Sequence, residues 1–174
     1  MLQEKLFILP QSEIDTYGQQ ALTYGSLTQK GVKTMVATIR RLCVHGSEIS
    51  AFDLGCGDGE LIWHLQEQLG GRWEGVEISE HRVSLQTRDV CIWQGDFLNE
   101  DLRPYNLLHA DNLCLEDSVA EALEEKIARE FSGVYISYRT PEDISFLKRA
   151  TLLETVATET TWFSTHPIQY YLLI

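Results

Sequence analysis

Apolar positions along the chain alternate between short continuous runs and stretches spaced for helices. Val32, Met35, Val36, Ile39 and Leu42 recur every three or four residues, which predicts a helix over residues 28–42 with Thr28 as its N-cap. A shorter helix ending near Tyr24 is expected before it. The run Ser50 to Leu54 then reads as a strand, followed by a glycine-rich turn, a helix over residues 60–68 with Leu61, Ile62 and Leu65 on one face, and a strand from Arg72 to Ile78. Strand, turn, helix and strand form the unit of a parallel sheet. A helix over 80–87 and a strand from Val90 to Trp93 repeat the unit, and strands at 105–110, 133–138, 152–158 and 168–173 accompany a helix over 118–131. The prediction is an α/β fold with a mostly parallel seven-stranded sheet.

No repeat, low-complexity tract or linker interrupts the pattern, so residues 1–174 are expected to form a single domain, with N-terminal helices and a loop in 1–45 and the core in 46–174. The last strand runs to Ile174, and no tail is expected beyond it.

Hydrophobic residues make up 44% and charged residues 23%, enough apolar surface to bury a core and too much for disorder. Twenty-six Asp and Glu against 14 Lys and Arg give a net charge of -12, and residues 1–50 are weakly positive while the remainder carries the acidic excess. Such a surface repels polyphosphate, so no strong nucleic-acid binding is expected of this chain alone, and a basic protein would be steered toward it. Cys43, Cys56, Cys91 and Cys114 are scattered without metal-ligand spacing, which suggests a reducing compartment and no metal site. Neither a signal peptide nor a membrane span is evident, and a monomer is expected.

The sharpest chemical signal is the stretch from Phe52 to Glu60, an apolar strand ending in Asp53, then Gly55, Gly57 and Gly59, and opening into a helix. Glycines let the chain turn tightly and a ligand approach bare backbone beside a helix N-terminus. A dinucleotide site wants G-x-G-x-x-G, whereas G-x-G-x-G preceded by a carboxylate suits a cationic cofactor without a pyrophosphate, S-adenosylmethionine. Glu77, at the end of the second strand, is placed to accept from both ribose hydroxyls, and Asp96 with Phe97, after the third, to meet the adenine.

These strand ends resemble the motifs of class I methyltransferases, a Rossmann-like three-layer sandwich. The loop Tyr24-Gly25-Ser26-Leu27-Thr28, the strand end Asp111-Asn112-Leu113-Cys114-Leu115, Trp162 and the terminal Pro167-Ile168-Gln169-Tyr170-Tyr171 further resemble the disruptor-of-telomeric-silencing (Dot1-like) family of non-SET histone-lysine methyltransferases. That family usually has Glu where Ser26 stands and Asn where Asp111 stands. The resemblance implies a protein-lysine N-methyltransferase, with a histone or other basic protein as substrate, in the nucleus if histones are the target and otherwise in the cytoplasm. It places Asn112, Asp111 and Tyr171 at the reacting amine, with Trp162 as a further wall. The cofactor falls to Asp53, Gly55, Gly57, Glu60, Glu77, Asp96, Phe97 and Asn112, under a loop containing Tyr24, Leu27 and Thr28. His45, His64, His81, His109 and His166 form no recognisable set and read as surface or packing residues. Two other readings stand beside this one: a methyltransferase of another acceptor, and a module that binds the cofactor without turnover.

Overall fold

The computed structural model describes residues 5–42 and 48–174; Cys43 and His45 lie outside them. Seven strands form one sheet, β1 (Ser50–Leu54), β2 (Arg72–Glu77), β3 (Cys91–Gln94), β4 (Leu107–Ala110), β5 (Gly133–Ser137), β6 (Ala150–Thr158) and β7 (His166–Leu173), in the order β3-β2-β1-β4-β5-β7-β6. The first five pair in parallel, and β7 runs antiparallel between β5 and β6. Strand order reverses between β1 and β4, and the crevice beyond the carboxyl ends at such a reversal is where open α/β sheets bind ligands.

The helices are α1 (Gln11–Tyr17), α2 (Gln29–Leu42), α3 (Glu60–Leu69), α4 (Glu80–Ser84), α5 (Asp117–Glu130) and α6 (Ile144–Arg149). Neighbouring strand residues point to opposite faces of the sheet and sort the core into two layers. On one face Met35, Val36 and Ile39 of α2 and Ile62 and Leu65 of α3 pack with Ala51, Trp73, Leu107 and Tyr170. On the other, Leu123 and Ile127 of α5 and Phe146 of α6 pack with Phe52, Leu108, Tyr135 and Tyr171. Each such side chain, fully buried, contributes about 1.5–3 kcal/mol.

All seven predicted strands are present, two helical expectations are corrected and one helix is added. The N-terminal helix stops at Tyr17, because Gly18 at φ 81° ends it, and the chain reaches Tyr24 without further α-helix. The helix after β2 spans five residues rather than eight; the Ser79 hydroxyl caps it by accepting from the Arg82 N–H, and Leu85 closes it. Helix α6 was not expected from the sequence. Of its residues only Phe146 is buried, so it has no apolar periodicity, and its one signal is the Asp143 carboxylate, which accepts from the Phe146 N–H at 2.7 Å.

Candidate active site

The turn after β1 is built on β2. The N–H groups of Gly55 and Cys56 both donate to the Val76 carbonyl, at 2.8 and 3.0 Å. Gly55 (φ 97°) and Gly57 (φ 59°) take left-handed conformations that side chains resist. The Gly57 N–H donates to Glu77 Oε2 at 2.9 Å and the Ser79 N–H to Glu77 Oε1 at 3.0 Å, so this carboxylate holds the turn while standing at its edge. Arg82 Nη1 lies 3.6 Å from Glu77 Oε1, both side chains nearly inaccessible. Burial pushes the Glu77 carboxyl up, Arg82 and the two N–H donors oppose that, and the net direction is above the ordinary carboxylate range.

Arg82 also straps the N-terminal segment down. Its guanidinium donates to the carbonyls of Leu6 and Leu22 and lies 5.0 Å from the centre of the Tyr24 ring. Glu13 of α1 completes the strap, accepting from the Ser79 hydroxyl at 2.6 Å and the His81 N–H at 3.0 Å. Beneath lies a cavity of about 200 Å3 at the carboxyl ends of the strands. A second cavity, about 560 Å3, opens between α2 and α3, and Tyr24, Ser26 and Leu61 border both.

Of the residues expected at the cofactor, Tyr24, Asp53, Gly55, Glu77, Asp96 and Phe97 line the smaller cavity, and Asp111 joins them. Gly57 lies under the Tyr24 ring. Three others have different work. Leu27 is buried and bridges to Thr160; Thr28 caps α2 by accepting from the Gly31 N–H at 3.2 Å and donates to Glu159 at 2.7 Å; Glu60 borders the larger cavity and pairs with Arg88 at 3.1 Å.

Two residues expected at the reacting amine lie elsewhere. Asn112 is buried with both ends of its amide occupied: Nδ2 donates to the hydroxyls of Tyr135 (3.1 Å) and Ser137 (2.9 Å), and Oδ1 accepts from the Tyr138 N–H (2.9 Å). It ties the end of β4 to β5 and does not line the cavity. Tyr171 points into the second core layer, with its ring 5.4 Å from that of Phe146 and its hydroxyl donating to Gln169 at 2.7 Å. The register Tyr135↔Tyr171 sets it mid-strand, away from the carboxyl ends of the parallel strands. Trp162 does not line the cavity either; it packs against Gly25, which does.

The unexpected members are His109 and Tyr138. Asp53 and His109 are register partners on β1 and β4, and His109 Nδ1 stands 2.7 Å from Asp53 Oδ1 with both side chains buried. The other ring nitrogen, Nε2, is 2.9 Å from the Tyr138 hydroxyl. With the proton on Nδ1 facing the carboxylate, Nε2 accepts from the phenol. Burial alone would lower the imidazole's affinity for a proton, but the Asp53 and Asp111 carboxylates outweigh it and the net direction is upward. Burial pushes the Asp111 carboxyl up to about 6 against the opposing pull of His109. The available signal was a lone polar residue in an otherwise apolar central strand, Leu107-Leu108-His109-Ala110. Among the described residues no cluster of His, Cys, Asp and Glu could hold a metal ion, and no helix is long and apolar enough to cross a membrane.

Comparison with known proteins bears on this geometry. A family model described as methionine biosynthesis protein MetW matches residues 33–130. No curated protein matches the chain. Solved structures share the fold at low identity. Magnesium protoporphyrin IX methyltransferase from Synechocystis PCC 6803, with bound S-adenosylmethionine, is 15% identical with a TM-score of 0.66, covering 99% of this chain and 90% of that one. An RNA methyltransferase from Salinibacter ruber in complex with S-adenosylhomocysteine is 19% identical with a TM-score of 0.57, over 82% and 91% of the two chains. Fibrillarin from Aeropyrum pernix, with S-adenosylmethionine natively bound, is 14% identical with a TM-score of 0.56, over 82% and 76%. The seven-stranded sheet is thus the class I methyltransferase fold.

Proposed function

The chain belongs to the MetW family of methionine biosynthesis proteins, and on that footing we propose that it binds S-adenosylmethionine and transfers the methyl group to a small acceptor rather than to a histone lysine. The observation that carries this reading is the charge of the cavity. Asp53, Glu77, Asp96 and Asp111 surround a glycine turn, and Arg82 is the lone fixed cation among the described lining residues. Four carboxylates suit a ligand with an ammonium and a sulfonium and repel the pyrophosphate of a dinucleotide.

In this reading Asp53 and the turn at Gly55 hold the methionine end, Glu77 accepts from the ribose hydroxyls, and Asp96 with Phe97 faces the adenine. When bound, the cofactor supplies an electrophilic methyl group on sulfur. The protein's contribution is alignment and exclusion of water, performed by the Leu6 to Tyr24 cover. A small acceptor is favoured because Asn112 and Tyr171, the residues that the histone-lysine reading needs at the amine, are spent on packing. The family's description, a protein of methionine biosynthesis, also points to metabolism.

Thermal unfolding tests the proposal. S-adenosylmethionine and S-adenosylhomocysteine, each at a hundredfold excess over Kd, should raise Tm by roughly 5–10 °C while NAD leaves it unchanged. Glu77→Ala should remove most of that rise. Stabilisation by NAD and none by either adenosyl compound would refute the assignment.

A further inference from the structure

Beyond the cofactor, the cavity contains a hydrogen-bonded chain that the alignment of a methyl donor does not use. It runs from Asp53 through His109 to the Tyr138 hydroxyl, and Tyr138 lines the cavity together with Asp111. Resting on the methyltransferase reading, we propose that the acceptor is an amine on an apolar body, its ammonium held by Asp111, with Tyr138 as a second hydrogen-bond acceptor fixed in direction by His109.

The direction of the Tyr138 hydroxyl decides the chemistry. With His109 neutral and its proton on Nδ1 toward Asp53, the phenol hydrogen goes to His109 Nε2 and the phenol oxygen offers lone pairs to the cavity. Asp111 is likewise an acceptor, and Thr23 and Ser26 of the covering loop line the same cavity. A carboxylate or phosphate ester would meet like charge at Asp111, whereas an ammonium has three N–H donors to share. Leu115, Val119 and the Tyr138 ring supply apolar surface for its body. Charged groups felt by Asp111 come from three strands: His109 on β4, which Asp111 follows, Asp53 on β1 and His166 on β7. His166 Nε2 is 2.8 Å from the Tyr138 carbonyl, which leaves His109 as the partner of the hydroxyl.

The transfer balances. The ammonium gives one proton to Asp111, whose raised affinity for a proton suits it to the task. The freed lone pair then forms the C–N bond as the C–S bond breaks, sulfur keeps the electron pair, and S-adenosylhomocysteine and an N-methylammonium leave. Tyr138 touches the amine in this scheme. His109 acts through Tyr138 and is a positioning residue.

Calorimetric titration of the full chain, saturated with S-adenosylhomocysteine, tests the assignment with three probes of one shape: phenethylamine, phenethyl alcohol and phenylacetate. The amine should bind at least tenfold more tightly than the other two. Asp111→Asn should erase that preference, and Tyr138→Phe should weaken amine binding severalfold while leaving S-adenosylhomocysteine affinity unchanged. His109→Gln, whose amide can donate to Asp53 and accept from Tyr138, should keep amine binding near wild type, whereas His109→Leu should match Tyr138→Phe. Equal or tighter binding of phenylacetate, no binding of any probe, or a preference that survives Asp111→Asn overturns the inference. Failure of S-adenosylhomocysteine to bind would instead bring down the methyltransferase reading and this one with it.

Discussion

Tyr24 lies so close over Gly57 that a β-carbon there would stand 2.6 Å from Tyr24 Cε2 and 2.9 Å from its hydroxyl oxygen. Gly57 also has φ 59°, so Gly57→Ala meets both a strained backbone and an aromatic ring. The substitution should cost about 1–3 kcal/mol in urea unfolding and weaken S-adenosylmethionine at least tenfold by calorimetry. In a Tyr24→Ala background the stability cost should shrink by at least about 0.5 kcal/mol, the signature of two residues in contact. An unchanged cost in the double variant would place the strain in the backbone alone.

Arg82 is the hinge pin of the strap, because one guanidinium serves Glu77, Leu6 and Leu22. Arg82→Ala leaves a buried carboxylate without its cation and should lower unfolding stability by about 3–5 kcal/mol. Hydrogen exchange should rise in residues 5–24 well before it rises in the β1 and β4 strands.

For Asp111 the native state raises the carboxyl to about 6 from an ordinary value of 3.8. The folded protein therefore binds the proton more tightly than the unfolded chain, and the ionised carboxylate is a penalty present in full above about pH 6 that shrinks as pH falls below that value and is gone below the ordinary value of 3.8. Asp111→Asn should stabilise the protein by on the order of 1–2 kcal/mol at pH 7.5, and the gain should fade by pH 4. Denaturant melts at the two pH values check this; a gain equal at both would assign it to packing.

The framework was legible because its signals are local. Glycine spacing after an apolar strand located the turn, and Glu77 and Asp96 were found as acidic residues ending the next two strands. Sidedness in the antiparallel strand β7 is not local. Tyr170 and Tyr171 differ only in the face they take, and the pairing of β7 with β5 and β6 sends Tyr171 toward Phe146. His109 escaped notice for the same reason: its meaning comes from Asp53, 56 positions away in sequence and directly across the ladder. Asn112 was legible as a polar residue at a strand end, but which groups it would bind depended on where β5 ended.

Asn112 and Tyr171 give a paired prediction. Asn112→Ala strands the Tyr138 N–H and two hydroxyls and should cost about 2–4 kcal/mol of stability. Tyr171→Phe removes one hydroxyl bonded to a neighbouring Gln169 and should leave S-adenosylmethionine affinity and methyl transfer within about twofold. A hundredfold loss of transfer in Tyr171→Phe at unchanged stability would return that residue to the reacting centre.

The bridge between Leu27 and Thr160 carries a mechanical consequence. Ser26 and Thr161 exchange hydrogen bonds beside it, Glu159 grips Thr28, and Trp162 sits against Gly25, so the hairpin turn between β6 and β7 is riveted to the segment that carries Tyr24. Neither piece can swing without dragging the other. The two cavities that Tyr24 and Ser26 border therefore share one roof, and a change at the β6–β7 turn is felt over both.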